Sequence, residues 1–360
     1  MTLRNIKLLF FCVAFTTAHA QATLDENFIP FTSAFWDLEK AKVLTIDGRQ
    51  AITGSALLVE QTFENGIIEM ELKTDGSRGF PGITFRGDGA GNGESIYLRP
   101  QNSGRHDAAQ YAPLFNEQTC WQLYYGEGFT ASPTIPANQW ITLRIEIKDS
   151  KARVFLNDIN LPVLLIPNLK GKSGPGRILI TDGGNGTYLA NFRMKKTADL
   201  NFPETLSASK VDGDFLNWQI SQPFTVDDSA GKILSALDTN NKEWKPIELE
   251  PSGLANLSRY LPLFNGKPSM VYAKTILKSD KKKRVKLEFG YSDDVTIFHN
   301  RRPVYSGRAS FRSREPLFYG LVGYNDAIYL DLNKGDNEII LQVTEAFGGW
   351  GFMMRSVPLL

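Results

Sequence analysis

Apolar and polar residues alternate with a period of two along most of this chain, the pattern of strands with one buried and one wet face. In 63–73, Ile68, Met70 and Leu72 alternate with Glu69, Glu71 and Lys73. Ile141, Leu143, Ile145 and Ile147 alternate with Thr142, Arg144, Glu146 and Lys148, and a turn at Asp149-Ser150 leads into Ala152, Val154 and Leu156. That pattern predicts a hairpin. A further hairpin is predicted from 177–182 and 187–194, around Gly183-Gly184-Asn185-Gly186. Residues 21–62 read as an opening segment of short strands, marked by Asp47-Gly48 and Gly54. The pattern lapses over the polar stretch 197–213 and then resumes. Val285, Leu287 and Phe289, then Val295, Ile297 and His299, then Ile339, Leu341 and Val343 mark the later strands. No amphipathic helix interrupts them. The fold class expected is all-β, two β-sandwich (jelly-roll) domains in tandem, at 21–196 and 214–360, with 197–213 as linker.

One stretch inside the first domain, 83–127, carries unusual side chains. It reads as three strand-like pieces, 83–86, 94–99 and 121–127, separated by glycine-rich and polar loops. Ile83, Phe85, Ile96 and Leu98 belong to the apolar side. Thr84, Arg86, Ser95, Tyr97 and Arg99 fall on the other, joined by Gln122 and Tyr124. Tyrosine offers a flat apolar body with a polar tip, and arginine a planar fork of donors. A face made of both suits hydroxyl-rich ligands, and an ordinary solvated face is the competing reading. The ligand-binding candidates are Arg86, Tyr97, Arg99, Gln122 and Tyr124.

Residues 1–20 have the form of a cleaved secretory signal. Arg4 and Lys7 precede the apolar run 8–15, and Ala18-His19-Ala20 ends it. Phe11 before Cys12 does not suit a lipoprotein signal. The expectation is export, to the medium, the periplasm or the cell surface, with no membrane span. Without Cys12 the exported chain keeps one cysteine, Cys120, which has no partner for an internal disulfide and reads as core packing. Forty Lys and Arg against 39 Asp and Glu leave no basic surplus, which argues against nucleic acid as a partner.

Candidate chemistry is sparse. Asp88, Glu94, Asp107 and Glu127 lie near the polar face, but no spacing fixes a carboxylate pair of the kind glycoside hydrolysis uses. His106, in Arg105-His106-Asp107, has the residue type of a general base near neutral pH. There are three histidines, one of them in the signal, so a multi-histidine zinc site is excluded. No G-x-S-x-G elbow occurs. The glycines of 87–93 are followed by neither lysine nor helix, and so read as a strand connection rather than a phosphate cradle. In the second domain, 299–315 holds Arg301, Arg302, Arg308, Arg312 and Arg314 against Glu315 alone, with Tyr305 and Phe311 interleaved. These arginines suit the carboxylates or sulfates of an anionic polysaccharide. The favoured reading is that they pair with acidic groups of the first domain. The aromatics of 347–352 suit the sandwich core, with stacking on a sugar ring as the alternative.

The pieces GIIEMELK, GITFRGDG, ESIYLRP, W-ITLRIEIK, ARVFLND and YLANFRM resemble the laminin-G-like, concanavalin-A-like jelly rolls of secreted bacterial proteins. The 3-keto-disaccharide hydrolase domain family is the nearest of these. That resemblance leaves open a structural calcium ion, for which Asp182 and Asp88 are the only guesses; no other cofactor is expected. Related family-16 glycoside hydrolases carry an E-x-D-x-x-E strand, and this chain has no E-x-D. The second domain is similar to the galactose-binding-like domain of family-2 glycosidases, through 294–300, Val304 and 332–339. Three functions follow as expectations. The first is a secreted carbohydrate-binding protein using the polar sheet face. The second is a glycan-degrading hydrolase or lyase on that face, with His106, Tyr111 and Glu127 beside Tyr97 and Arg99. The third is a surface adhesion or scaffold protein.

Overall fold

The computed structural model describes residues 27–184, 186–203, 214–225, 243–264 and 268–357. The proposed signal and residues 204–213 of the proposed linker lie outside them. Among the described residues there is no α-helix; strands dominate, with two short 3-10 turns.

The first sandwich stacks two sheets. A back sheet runs Ala41–Ile46, Arg49–Leu58, Thr187–Lys196, Gly66–Thr74, Trp140–Lys148, Lys151–Leu156 and Leu164–Ile166. A front sheet runs Trp36–Asp37, Arg49–Leu58, Arg177–Thr181, Gly82–Gly87, Glu94–Leu98, Ala109–Tyr111 and Thr130–Ala131. Arg49–Leu58 belongs to both sheets and turns from one to the other at Gly54. There φ is +87° and an added Cβ would sit 2.1 Å from the Lys40 carbonyl oxygen. Ile68, Met70, Leu72, Ile83, Phe85, Ile96, Leu143 and Ile145 are fully buried between the sheets, as the alternation requires.

The hairpin at Asp149-Ser150 forms as expected. The one expected from 177–182 and 187–194 does not: Arg177–Thr181 pairs in the front sheet and Thr187–Lys196 in the back sheet. The connection between them crosses the sandwich edge. It is pinned there by Asp182, which exchanges bonds with Gly54 through its own N–H and its carboxylate. Residues 121–127, expected as a strand, form turns.

The second sandwich pairs one sheet of Lys283–Ser292, Gly351–Val357 and Asp326–Leu332 with another of Trp218–Ile220, Ser269–Ser279, Gly335–Glu345, Asp294–His299 and Arg302–Arg308. Leu287, Phe289, Ile297, Leu341, Val343, Trp350 and Phe352 fill its core. Asn337 is fully buried: its amide nitrogen donates to the carbonyls of Leu277, Asn333 and Gly335, and its oxygen accepts from the Asn333 N–H.

The sandwiches meet through the segment 113–125. Phe115, Cys120, Leu123 and Tyr124 form one apolar cluster with Leu254 and Met353 of the second sandwich. Around it the Gln118 amide donates to the Leu261 carbonyl (2.8 Å), the Asn116 amide to the Ser258 carbonyl (2.7 Å) and the Gln122 amide to the Tyr319 carbonyl (2.7 Å). The Gln122 side chain lies against Gly348, where an added Cβ would overlap its oxygen at 1.8 Å.

Beside this seam Glu345 is fully buried, accepting from the Gly349 N–H and the Ser292 hydroxyl. Burial, and then the neighbouring Asp293 carboxylate, push its carboxyl up to about 8. An acid whose folded-state value lies above its unfolded value of about 4.3 gives full stability below the lower value and loses it as pH rises toward the higher. Glu345→Gln keeps the shape and removes the titration. The variant should gain on wild type by an amount on the order of a few kcal/mol between about pH 5 and 9. Melting temperatures across that range test this, and parallel curves for the two proteins would refute it.

Candidate functional site: an aromatic and arginine groove at the seam

The two sheets of the first sandwich present different outer faces. The back-sheet face is an ion-pair lattice in which Glu146 binds Arg144 (2.8 Å) and Arg153 (2.6 Å), Arg49 binds Glu71 (2.6 Å) and Arg144 reaches Glu69 (3.4 Å). Arg144 and Glu146 pair along one strand, and each also reaches a charge directly opposite on the strand beside it.

The front-sheet face is built around Gln110, fully buried and opposite Tyr97 in the ladder. Its side-chain oxygen accepts from the Tyr97 hydroxyl (3.1 Å) and the Arg99 guanidinium (2.5 Å). Its amide nitrogen donates to the carbonyls of Trp121 (3.0 Å) and Tyr124 (2.8 Å). Arg99 also donates to the Tyr97 hydroxyl (2.9 Å) and the Asp107 carbonyl (2.9 Å). Burial pushes the Tyr97 hydroxyl up to about 12, so it stays protonated as a donor at physiological pH. Gln110 thereby clips the 121–124 turn onto the sheet.

From this base a run of rings crosses from one sandwich to the other. The Arg99 guanidinium lies 4.9 Å from the Tyr97 ring centre and 5.9 Å from those of Phe80 and Trp121. Trp121 meets Phe311 (6.0 Å) and Phe347 (5.9 Å) of the second sandwich. Phe311 stacks on Tyr319 (5.9 Å), Tyr319 on His106 (5.9 Å), and His106 meets Tyr125 (5.7 Å). Phe80, Phe311 and Phe347 are 38%, 39% and 61% exposed, so the belt reaches solvent. Arg78 lies over Phe80 (5.9 Å) and Arg312 over Phe311 (4.9 Å), both exposed, and Arg105 is exposed beside His106.

The sequence candidates separate accordingly. Tyr97, Arg99 and His106 come together here, but Tyr97 and Arg99 are only 7% and 6% exposed and form the floor. Arg86 leaves the face: at φ +53° beside a bulge, its guanidinium binds the Glu64 and Asp149 carbonyls and the Asn65 side chain. Gln122 and Tyr124 are buried in the seam; the Tyr124 hydroxyl bonds Glu250 and accepts from the Asn256 amide. Tyr111 faces the core, where its hydroxyl donates to fully buried Glu94 (2.6 Å) and accepts from the Lys170 N–H. Burial raises the Glu94 carboxyl. Glu127 is exposed in the turn before Thr130–Ala131. Asp107 is buried and bonds the Asn102 amide (2.9 Å), while Asp88 folds back on its own loop.

The arginine loop also differs from expectation. Arg314 pairs with Asp326, Arg308 with Asp294 (3.5 Å) and Arg301 with Glu338 (4.0 Å), all within the second sandwich. Contact with the first sandwich is made by Phe311 instead. Of the terminal aromatics, Trp350 and Phe352 are core, while Phe347 joins the belt. Phe80, Trp121, Tyr125 and Tyr319 went unassigned in the sequence; the signal for Phe80, Tyr125 and Tyr319 was an aromatic residue next to glycine or proline, and Trp121 had none. Among the described residues no cluster of metal-ligating side chains occurs, and Asp182 is engaged with the Gly54 and Gly184 N–H groups.

Residues 34–195 match the family model of the 3-keto-alpha-glucoside-1,2-lyase-like domain, so the first sandwich is similar to that family. Among solved structures, carbohydrate binding module CBM66 from Bacillus subtilis aligns at 15% identity with a TM-score of 0.33, covering 46% of this chain and 96% of that one. A Bacillus licheniformis beta-glucanase aligns at 14% identity with a TM-score of 0.35, covering 48% and 96%. No curated protein matches the chain.

Tyr97→Phe removes one hydroxyl from the buried Arg99–Gln110 network. It should cost about 1–3 kcal/mol, because an Arg99 N–H loses its acceptor. Urea denaturation checks this, and an unchanged midpoint would mean the network tolerates the loss.

Proposed function

We propose that this chain is an exported carbohydrate-binding protein whose ligand lies along the belt between the two sandwiches. The observation that carries the reading is the continuous run Phe80, Tyr97, Arg99, Trp121, Phe311, Tyr319 and His106, with exposed rings on both sides of the seam. Sugar rings stack their C–H faces on aromatic faces, while hydroxyls take bonds from arginine and tyrosine. Exposed Arg78, Arg105 and Arg312 favour a polymer bearing carboxylate or sulfate groups. The signal-like residues 1–20 fit encounter with such a polymer outside the cytoplasm.

The family description supports a second reading, a lyase acting on a 3-keto glycoside. A ketone at C3 acidifies the proton at C2, so the enzyme needs a base there. His106, exposed and held between Tyr125 and Tyr319, is the residue of that chemistry in the belt. A surface that binds another protein is the third outcome.

Affinity electrophoresis of residues 21–360 in gels cast with neutral or acidic polysaccharides tests the first reading. Retardation is expected, stronger in acidic gels and weakened by salt. The exposed pair Phe311→Ala and Arg312→Ala should weaken binding about tenfold with the fold retained, as befits about 1.4 kcal/mol. Changing Tyr97 and Arg99 instead would disturb the buried floor. Absence of retardation in every gel would sink the carbohydrate reading. For the lyase reading, release of the C1 substituent from a 3-keto disaccharide should occur with wild type and fall at least a hundredfold in His106→Gln. No release by wild type would exclude it.

A further inference from the structure

The end of the second sandwich opposite the seam carries an unbalanced charge. The strand Gly335–Glu345 runs between the two ends. Phe347 of the belt follows its last residue, and its first residue lies roughly 33 Å away at about 3.3 Å per residue. At that far end two connections cross from sheet to sheet side by side. Ser279 pairs with Gly335 and Lys283 with Leu332, so the turns 280–282 and 333–334 are neighbours. A third turn, 299–302, is tied in beside them. The Asn300 N–H donates to the Glu338 carbonyl (2.9 Å), and the Asn300 side-chain oxygen accepts from the Glu338 N–H (2.9 Å). Buried Asn337 holds the 333–335 turn closed and lies 3.4 Å from His299 Nε2. The three turns form one platform.

Its charges do not cancel. Residues 278–284, 299–302 and 331–338 hold eight Lys and Arg against four Asp and Glu, a surplus of four positive charges. Arg284 is answered by Asp331 (2.7 Å) and Arg301 by Glu338 (4.0 Å). Lys278, Lys281, Lys282, Lys283, Arg302 and Lys334 are exposed and join no ion pair among the described residues. Within these stretches only Asp280 and Asp336 are left to set against them. Bonds from Arg284 hold the Asp331 carboxyl below its usual range, and Lys282 and His299, from two different turns, act in the same direction. The turns thus share one field. Removing Arg4 and Lys7 with the signal-like segment takes the whole chain from a formal +1 to −1, so the excess here is local.

The residue types choose the partner. No tryptophan, tyrosine or phenylalanine lies in these stretches, so a sugar finds no ring to stack on. All but one of the unpaired cations are lysines, point charges on flexible stems rather than planar forks that clamp a single carboxylate or sulfate. Spread over the tips of three turns, they match an extended array of phosphates. We infer that this end is a docking surface for an anionic phospholipid bilayer, separate from the carbohydrate belt. Docked this way, the protein would hold the belt at its far end, away from the membrane. The attraction is peripheral and electrostatic, and fades beyond a Debye length, about 10 Å at 0.1 M salt.

Cosedimentation of residues 21–360 with lipid vesicles tests this. Vesicles of phosphatidylglycerol and phosphatidylcholine in equal parts should carry the protein down in about 0.05 M sodium chloride and release it in about 0.5 M. Phosphatidylcholine alone should not bind it. The triple variant Lys281→Gln, Lys282→Gln and Lys283→Gln should bind on the order of a hundredfold more weakly, near fivefold per lysine, with an unchanged melting temperature. Lys334→Gln, in the neighbouring turn, should cost about fivefold and repeats the test at a second position. Lys172→Gln, Lys195→Gln and Lys196→Gln together remove the same charge from exposed positions of the first sandwich, and should leave binding within about twofold. Equal losses in the two triple variants would overturn the platform, as would undiminished binding by the 281–283 variant or no binding by wild type. If wild type ignores vesicles while the 281–283 variant loses retardation in acidic polysaccharide gels, the surface serves that polymer and the lipid assignment fails. Phe311→Ala with Arg312→Ala should keep wild-type vesicle binding, so belt and platform can fail independently.

Discussion

Everything distinctive about this molecule depends on satisfying polar groups that two sandwiches bury when they meet. An unpaired buried amide or hydroxyl costs on the order of 1–3 kcal/mol, so such a seam forms only where partners are matched. The 113–125 segment supplies the match. Gln118, Gln122 and Asn116 each give an amide to a carbonyl of the second sandwich, and Tyr124 meets Glu250 and Asn256. Phe115, Cys120 and Leu123 bury apolar surface among them. The thiol of Cys120 is pushed up to about 12 by that burial, which makes it packing material rather than a nucleophile.

Once the seam is closed, its two aspects acquire different chemistry from neighbouring parts of the same segment. Gln110 anchors the 121–124 turn on the front sheet, which carries Trp121 to Phe311 and Phe347 and makes the belt continuous. Tyr124, three residues on, points to Glu250, which gathers Lys170 of the first sandwich and Arg259 of the second. The belt is not complete in one sandwich. The back-sheet face, equally rich in charge, has its glutamates and arginines already paired with one another, within one strand and across adjacent ones.

The all-β class, the positions of most strands and the buried side of each were legible in the sequence. Period-two alternation is a local property, and the residues that show it, such as Ile68, Met70, Leu143 and Ile297, are the ones found fully buried. Tyr97, Arg99 and His106 were legible as candidates, and the fold brings them to one belt. What they do was not. Arg86 leaves the face because one residue takes a positive φ beside a bulge, and Gln122 and Tyr124 lie in turns that a second sandwich covers. The arginine loop carried the right partner sign but the wrong partner: its carboxylates lie within its own sandwich, and Phe311 makes the crossing.

The sequence by itself determined strand, period, core and the supply of aromatic and cationic residues, because each follows from neighbours two to ten residues away. Only the tertiary structure decided which sheet Arg177–Thr181 and Thr187–Lys196 enter, and which polar side chains are buried between sandwiches. It also decided where rings more than 180 residues apart, Trp121 and Phe311, come into contact. The pairing of a buried amide with a distant carbonyl depends on complementarity across the whole interface, and no local pattern encodes it.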